Sequence, residues 1–463
     1  MTRRLPAARS VGGSAGRHLA RRVARPAPVR ALSRWLVCSV LLVPLAAWPQ
    51  DGNYRFDLSE IESQPFETSG FVEAKAEHFG LRADAALFPL SFPGALPRRT
   101  LDRATASFEL AAKIKLGSTQ GSTTAYARLA GSATHDPLAT ARRGAVLEAG
   151  VRHSPGEGLS FEAGKQAQRW GKGYAWNPVA FFERPKDPND PQLSREGFVM
   201  ASADVVRSAP GSTLAAFSFT PLLLPTTHAL NRDFGAAGHL NAGARLYLLL
   251  ADTDIDLLWA ARGSRPQRLG LDFSRNFGSQ LELHGEWART IGATSTQLGA
   301  GGLPVTRRAN ADSWLLGLRA VTDSEVTWIA ELYRNGSGVT DEDLARFHGL
   351  LEDAFGPAGT PALRAAARAL AAAGFARNNP AHHYGYLRVA AKDPFDWLYV
   401  APALTVIGNL GDHSLQLTSE VVYTGWQNLE LRARAILLRG REGSEFGEKP
   451  AARRLELSLR LYF

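Results

Sequence analysis

The chain is poor in sulfur. One cysteine, Cys38, and two methionines stand among 463 residues. That excludes a disulfide framework, a cysteine-rich zinc or iron–sulfur site, and covalently attached c-type haem. It also lacks a long apolar run. No stretch reaches the roughly 18–20 residues of a membrane-spanning helix, so a helical inner-membrane protein is excluded. Enzyme signatures are missing too: beyond residue 50 there is no Gly-x-Ser-x-Gly, no His-Glu-x-x-His and no Gly-x-x-x-x-Gly-Lys-Ser/Thr. No catalytic residue, cofactor or metal site is assigned.

What is present describes a folded protein, with 45% apolar, 9% aromatic and 21% charged residues. The formal net charge is +9, yet residues 1–50 carry nine arginines, no lysine and no acid. The rest of the chain is therefore balanced. The basic character belongs to the leader and gives no basic face for nucleic acid. After the arginines come twelve largely apolar residues, Leu36 to Ala47, and then Trp48-Pro49-Gln50. A positive region, a short apolar core and small residues at its end predict a secretory signal peptide over 1–47. Its basic region is long enough that translation starting downstream is an alternative. Cys38 follows Trp-Leu-Val rather than small residues, which argues against lipidation. Residues 48–69 are expected to form a short periplasmic N-terminal segment.

From Gly70 onward the dominant period is two. Ala104, Ala106, Phe108, Leu110, Ala112, Ile114 and Leu116 alternate with Thr105, Ser107, Glu109, Ala111, Lys113 and Lys115. The same rhythm runs through 240–250, 280–287 and 428–436. Each such strand offers one apolar and one polar face. A soluble β-sandwich would turn the apolar face inward. Three features favour the inverted arrangement, a transmembrane barrel with that face toward lipid. Many polar faces are broad and charged, while the apolar faces are often small. The strands have the length needed to cross a bilayer at a tilt. Finally, Leu455, Leu457, Leu459, Leu461 and the terminal Phe463 share one face, and that terminus resembles the last strand of Gram-negative outer-membrane barrels, which the barrel assembly machinery reads.

Loop asymmetry sets the strand count, because periplasmic turns are short and external loops long. Short turns are expected at 118–122, 155–158, 208–212, 251–254, 276–279, 322–324, 393–396 and 425–428. External connections are expected near 81–102, 135–141, 169–196, 226–237, 264–266, 292–310, 336–382, 409–413 and 439–452. These connections join 18 antiparallel strands over 70–463 in an all-β, up-and-down barrel; without the short links at 264–266 and 409–413 the count is 16. Phe277, Phe395, Trp397 and Trp426 sit at or beside the turns, where an aromatic girdle belongs. A barrel this wide leaves an aqueous lumen unless something fills it.

Two segments stand out. The stretch 169–197 holds too much Pro and Gly for a helix or strand, and Trp170, Tyr174, Trp176, Phe181 and Phe182 need something to pack against. It is expected to fold inward and narrow the pore. Arg169, Lys172, Arg184, Lys186 and Arg195, with Glu183, Asp187, Asp190 and Glu196, would set a charged constriction; the alternative is a brace that selects nothing. The insertion 336–382 reads as a helical hairpin. Thr340 caps an acidic first turn, Asp341-Glu342-Asp343, and Thr360-Pro361 opens a second helix that stops at Gly374. Rim packing is the expected role. On one strand Glu282, His284 and Glu286 share the polar face, which reads as lumen lining. The adjacent pair His382-His383 reads as solvated.

The block Gly164-Lys-Gln with Trp170-Gly, Asn177-Pro178 and Pro185, the stretch from Asp323 to Gly336, and Lys392-Asp-Pro-Phe-Asp396 together resemble an uncharacterised group of proteobacterial porin-like outer-membrane proteins, distantly similar to alginate-export-type barrels. The resemblance implies a single-chain porin-like channel with no known substrate. Two functions follow as expectations. One is a channel for passive passage or export of small polar solutes in the outer membrane of a Gram-negative bacterium, in contact with outer-membrane lipid. The other is a sheath holding a periplasmic partner, such as a multihaem cytochrome.

Overall fold

A computed structural model describes residues 65–94, 98–118, 121–299 and 303–463. The signal segment 1–47 and residues 48–64 lie outside the described residues. The strands are β1 (Phe66–Leu81), β2 (Thr100–Ser118), β3 (Gly121–His135), β4 (Thr140–Gly156), β5 (Leu159–Gln166) and β6 (Phe198–Ser208). They continue with β7 (Leu214–Thr226), β8 (His239–Leu250), β9 (Thr253–Ala260), β10 (Gln267–Phe277), β11 (Leu281–Leu298) and β12 (Pro304–Val321). The last six are β13 (Val326–Arg334), β14 (His383–Ala391), β15 (Val400–Asn409), β16 (Leu415–Trp426), β17 (Leu429–Arg439) and β18 (Ala451–Tyr462). Each pairs antiparallel with its neighbours in sequence, and β1 pairs with both β2 and β18. The sheet is a closed barrel of 18 strands, with no unpaired edge.

Register decides which face meets what. On β18, Leu455, Leu457, Leu459 and Leu461 point outward and are exposed, while Glu456 and Ser458 between them are buried inside. Phe108, Leu110, Ile114 and Leu116 on β2 are likewise exposed on the outer wall. A one-residue slip of any pairing would exchange these faces, so the apolar exterior itself specifies the register. Such an exterior suits hydrocarbon, and a closed barrel satisfies every backbone group without water. Exposed Phe277, Phe395, Trp397 and Trp426 ring the end that carries the short turns. Exposed Trp287 and Trp314 lie directly opposite one another on β11 and β12, and Trp259 on β9 sits two residues further toward the long-loop end.

Inside, charges meet across strands. Arg460 donates to Glu73 at 2.7 Å, Arg388 to Glu420 at 3.1 Å, and Arg454 on β18 lies 3.6 Å from Glu77 on β1. The short connections fall where the sequence places them, although the one between β14 and β15 is longer than expected, at 392–399, and the external links expected at 264–266 and 409–413 span 261–266 and 410–414. One external connection differs in kind: 292–310 is not a long loop. β11 and β12 continue as a ladder with a bulge between Thr290 and Ala293, pairing to Leu298↔Pro304. Small and polar residues on both faces there hide the alternation, yet the cross-strand hydrogen bonds persist.

In the connection between β13 and β14, helices α2 (Asp341–Phe355) and α3 (Pro361–Leu370) form the hairpin; the short helix α1 (Phe88–Ser91) precedes them in the chain. The Thr340 hydroxyl accepts from the Asp343 N–H at 3.0 Å and that of Thr360 from Leu363 at 3.2 Å. A wider turn, Ala371–Phe375, ends the second helix, and Gly374 takes φ +114°, a left-handed conformation that suits glycine. The hairpin packs on the rim and joins connections from separate parts of it. Leu344, Phe347, Leu351 and Leu370 share one apolar cluster with Leu298 at the tip of β11 and with Ala86 from the β1–β2 connection, which lies across the strand order. His348 Nδ1 also bonds the Gly443 carbonyl of the β17–β18 loop at 3.0 Å.

Candidate functional site: a loop across the lumen

The connection from Gln166 to Phe198 turns into the barrel, and buried carboxylates on the wall hold its backbone there. Glu286 on β11 accepts N–H bonds from Lys172 at 2.7 Å, Gly173 at 2.6 Å and Val179 at 3.2 Å. Glu331 on β13 accepts from Ala175 at 2.9 Å and from Tyr174, and His284 Nε2 meets it at 3.0 Å. Two anions thus satisfy five backbone donors of a loop that has no ladder of its own. Gly171 takes φ +94°, and a Cβ there would sit 2.7 Å from Glu286 Oε1, so a side chain would push the loop off its anchor.

Apolar contacts fix the same geometry. Trp176 stacks on Tyr333 with ring centroids 5.1 Å apart and meets Tyr384 and Tyr386 at 5.7 and 6.1 Å. Trp170, Val179, Phe181 and Phe182 pack in a second cluster with Phe198, Leu224, Phe234 and Leu258 on the β6–β9 side of the wall. Lys172 reaches between Asp256 on β9, at 3.1 Å, and Asp272 on β10, at 3.9 Å; these two carboxylates are almost fully buried opposite one another. Further along, Asn189 bonds Gln416 on β16, Asp190 lies 3.9 Å from Arg434 on β17, and Ser194 donates to Glu109 on β2 at 3.2 Å. The loop therefore touches walls right round the ring.

A cavity of about 330 Å³ is left between this loop and the β3–β4 wall. Arg128, Arg169, Arg184, Lys186 and Arg195 line it with Glu148, Glu183 and Glu196, and Trp170 and Phe182 form its apolar side. A second cavity of about 320 Å³ shares Arg128 and Glu148 and continues past Lys113 and Glu67 toward the short-turn end. On the wall Arg128 bridges Glu109 and Glu148 at 3.7 and 3.4 Å. On the loop Arg195 pairs with Glu183 at 2.9 Å, while Lys186 donates to the Gly173 and Tyr174 carbonyls at 2.5 and 3.2 Å and has no carboxylate partner among the described residues. Burial raises the Glu183 carboxyl to about 7, against the opposing pull of Arg195 and the Trp170 N–H. Burial also lowers the Lys186 ammonium and raises the Asp190 carboxyl.

The residues singled out from sequence separate into four groups. Arg169, Trp170, Glu183, Arg184, Lys186, Arg195 and Glu196 line the larger cavity. Lys172 lies on the other side of the loop, against Asp256 and Asp272. Asp187 stabilises a turn, accepting from the Asn189 N–H at 3.0 Å. Glu282, His284 and Glu286 face inward as a row, but Glu286 is an anchor rather than free lining. Glu331, Asp256, Asp272 and Arg128 were not singled out. An acid at an inward position between Ile329 and Tyr333 is the signal that marks Glu331 in retrospect. His382 bonds the Asn335 carbonyl at 2.7 Å beside His383.

No family model matches the chain, and no curated protein matches it. Among solved structures, it is similar to Pseudomonas aeruginosa OccK5 (OpdH), with 11% identity, 86% of this chain and 98% of that one covered, and a TM-score of 0.48. It is also similar to a triple mutant of the Rhodopseudomonas blastica porin, with 9% identity, 86% and 100% coverage, and a TM-score of 0.41.

Proposed function

We propose that the protein is an outer-membrane channel that passes small polar solutes, and that the loop 167–197 is its filter. One observation carries this reading: a loop pinned to the inner wall by Glu286 and Glu331 leaves a charged passage beside β1–β4. The cavities admit small molecules and no folded chain. Cations outnumber carboxylates at the larger one, so the passage should favour anions. The long-loop end then faces outward, and the end bearing the short turns and Phe463 faces the periplasm, where the last strand is offered to the assembly machinery. The loop occupies the cross-section that a periplasmic partner would need, which weighs against the sheath.

The test is conductance of the refolded chain in a planar bilayer, with reversal potentials in a salt gradient. Stable openings with anion preference, altered when Lys186 and Arg195 are replaced by Gln, support the reading. A heat-resistant folded barrel that conducts neither as the parent nor with the loop released would overturn it.

A further inference from the structure

Outside the lumen, the most strongly charged feature lies on the outer wall at the long-loop end of β1, β17 and β18. A concavity of about 830 Å³ there is lined by Arg82, Arg98, Arg99, Arg439 and Arg453, with Asp84 as its one acid. Register places the Arg439 and Arg453 side chains on the lipid side, and Arg82, Arg98 and Arg99 join them from the β1–β2 connection. Arg453 continues the outward row of Leu455 and Leu457, and Arg439 continues that of Leu437, all exposed. Arg453 also crosses to β1, where its side chain lies against Gly80 at 2.6 Å from where a Cβ would be. Among the described residues, the side chains of Arg98, Arg99, Arg439 and Arg453 make no salt bridge and no hydrogen bond, although the Arg99 carbonyl accepts the Leu81 N–H at 2.8 Å. Arg82 donates to the Phe446 carbonyl at 2.9 Å and leaves its Nε buried without a partner.

Like charges gathered this closely repel, and nothing in the lumen chemistry needs them on the outside of the wall. Their position suits one class of ligand. Immediately toward the barrel's waist, the same face is a ridge of leucines from β17 and β18 that meets hydrocarbon. An amphiphile bound here would lay acyl chains along the ridge and put its headgroup in the arginine concavity. Guanidinium groups recognise phosphate oxygens by paired, charge-assisted hydrogen bonds.

We propose that this concavity binds the phosphorylated headgroup of an outer-leaflet glycolipid, anchoring the barrel in that leaflet. The inference rests on the outward orientation given above but not on conduction. Each arginine near a lipid surface contributes about fivefold to binding, so losing two should weaken it by about 30-fold.

The full refolded chain is titrated with diphosphorylated lipid A, dephosphorylated lipid A and inorganic phosphate, and bound lipid is counted by native mass spectrometry. Heat-resistant electrophoretic migration verifies that each variant is folded. Retention of the diphosphorylated form alone, weakened about 30-fold by R439Q/R453Q and likewise by R98Q/R99Q, is the expected result. Equal retention by the variants would overturn the proposal, as would equal binding of dephosphorylated lipid A. Displacement by inorganic phosphate alone at millimolar concentration would overturn the lipid assignment in favour of a free-anion site. Because no step measures current, failure here is separate from failure of the channel reading.

Discussion

Glu286→Ala should unlock the channel. In the native barrel the Glu286 carboxylate is 3% exposed and accepts three loop N–H groups, from Lys172, Gly173 and Val179. An unpaired buried donor costs about 1–3 kcal/mol, so holding the loop in place without its anchor would cost on the order of 3–9 kcal/mol. The loop has a cheaper course, which is to leave the wall and give those donors to lumen water. Glu331 and the Trp176 stack still hold the next turn, so release is partial. A change of about 3 kcal/mol raises the population of the detached state more than 100-fold. The assay is single-channel recording of parent and variant in the same bilayer, with heat-resistant migration as the check on folding. Larger or flickering openings with reduced ion selectivity are expected. Unchanged conductance and selectivity from a folded E286A barrel would show that the loop does not control the passage.

Glu183 supplies a pH dependence. Its folded value, about 7, lies above that of an exposed carboxyl, so as pH falls through about 7 the filter loses a negative charge beside Arg195 and anion preference should rise; Glu183→Gln should flatten this change in reversal potential. The same shift means the folded state holds this proton more tightly than the unfolded one. The cost of burying the charge is absent below the ordinary carboxylate range and grows until pH passes about 7. Lys172→Met leaves Asp256 and Asp272 facing each other with Arg245, 3.8 Å from Asp256, as the one remaining ion-pair partner among the described residues, and should cost about 3–5 kcal/mol in urea unfolding. Adding Asp272→Asn should recover most of that, and no recovery would refute the pairing. Phe463 ends the outward row of β18, and its ring packs against Gly70; Phe463→Ala should lower the yield of heat-resistant barrel in outer-membrane fractions, measured against an equal total expression level.

Alternation by twos, turn residues at regular intervals and the leucine row ending at Phe463 were enough to read a barrel, its strand number and its inside and outside from the sequence. The reason is that a strand's two faces are written directly in odd and even positions, and local turn chemistry punctuates them. The β11–β12 extension was not legible, because residues such as Ala293, Thr294, Ser295 and Thr296 carry no facial contrast and only pairing with β12 makes them a strand. The unusual composition of 169–197 marked it as a lumen loop. Its binding partners were not readable, since Glu286 lies more than a hundred residues away in the chain and Glu331 further still. Which of its charges line the passage and which are spent on anchoring was decided by closure. Bending the sheet into a ring brings β2, β9, β11, β13 and β17 round a single loop, and no local pattern encodes that meeting. The arginines of the outer wall show the same division: 98–99, 439 and 453 are unremarkable apart, and become one cationic concavity because β1 pairs with β18 to close the barrel.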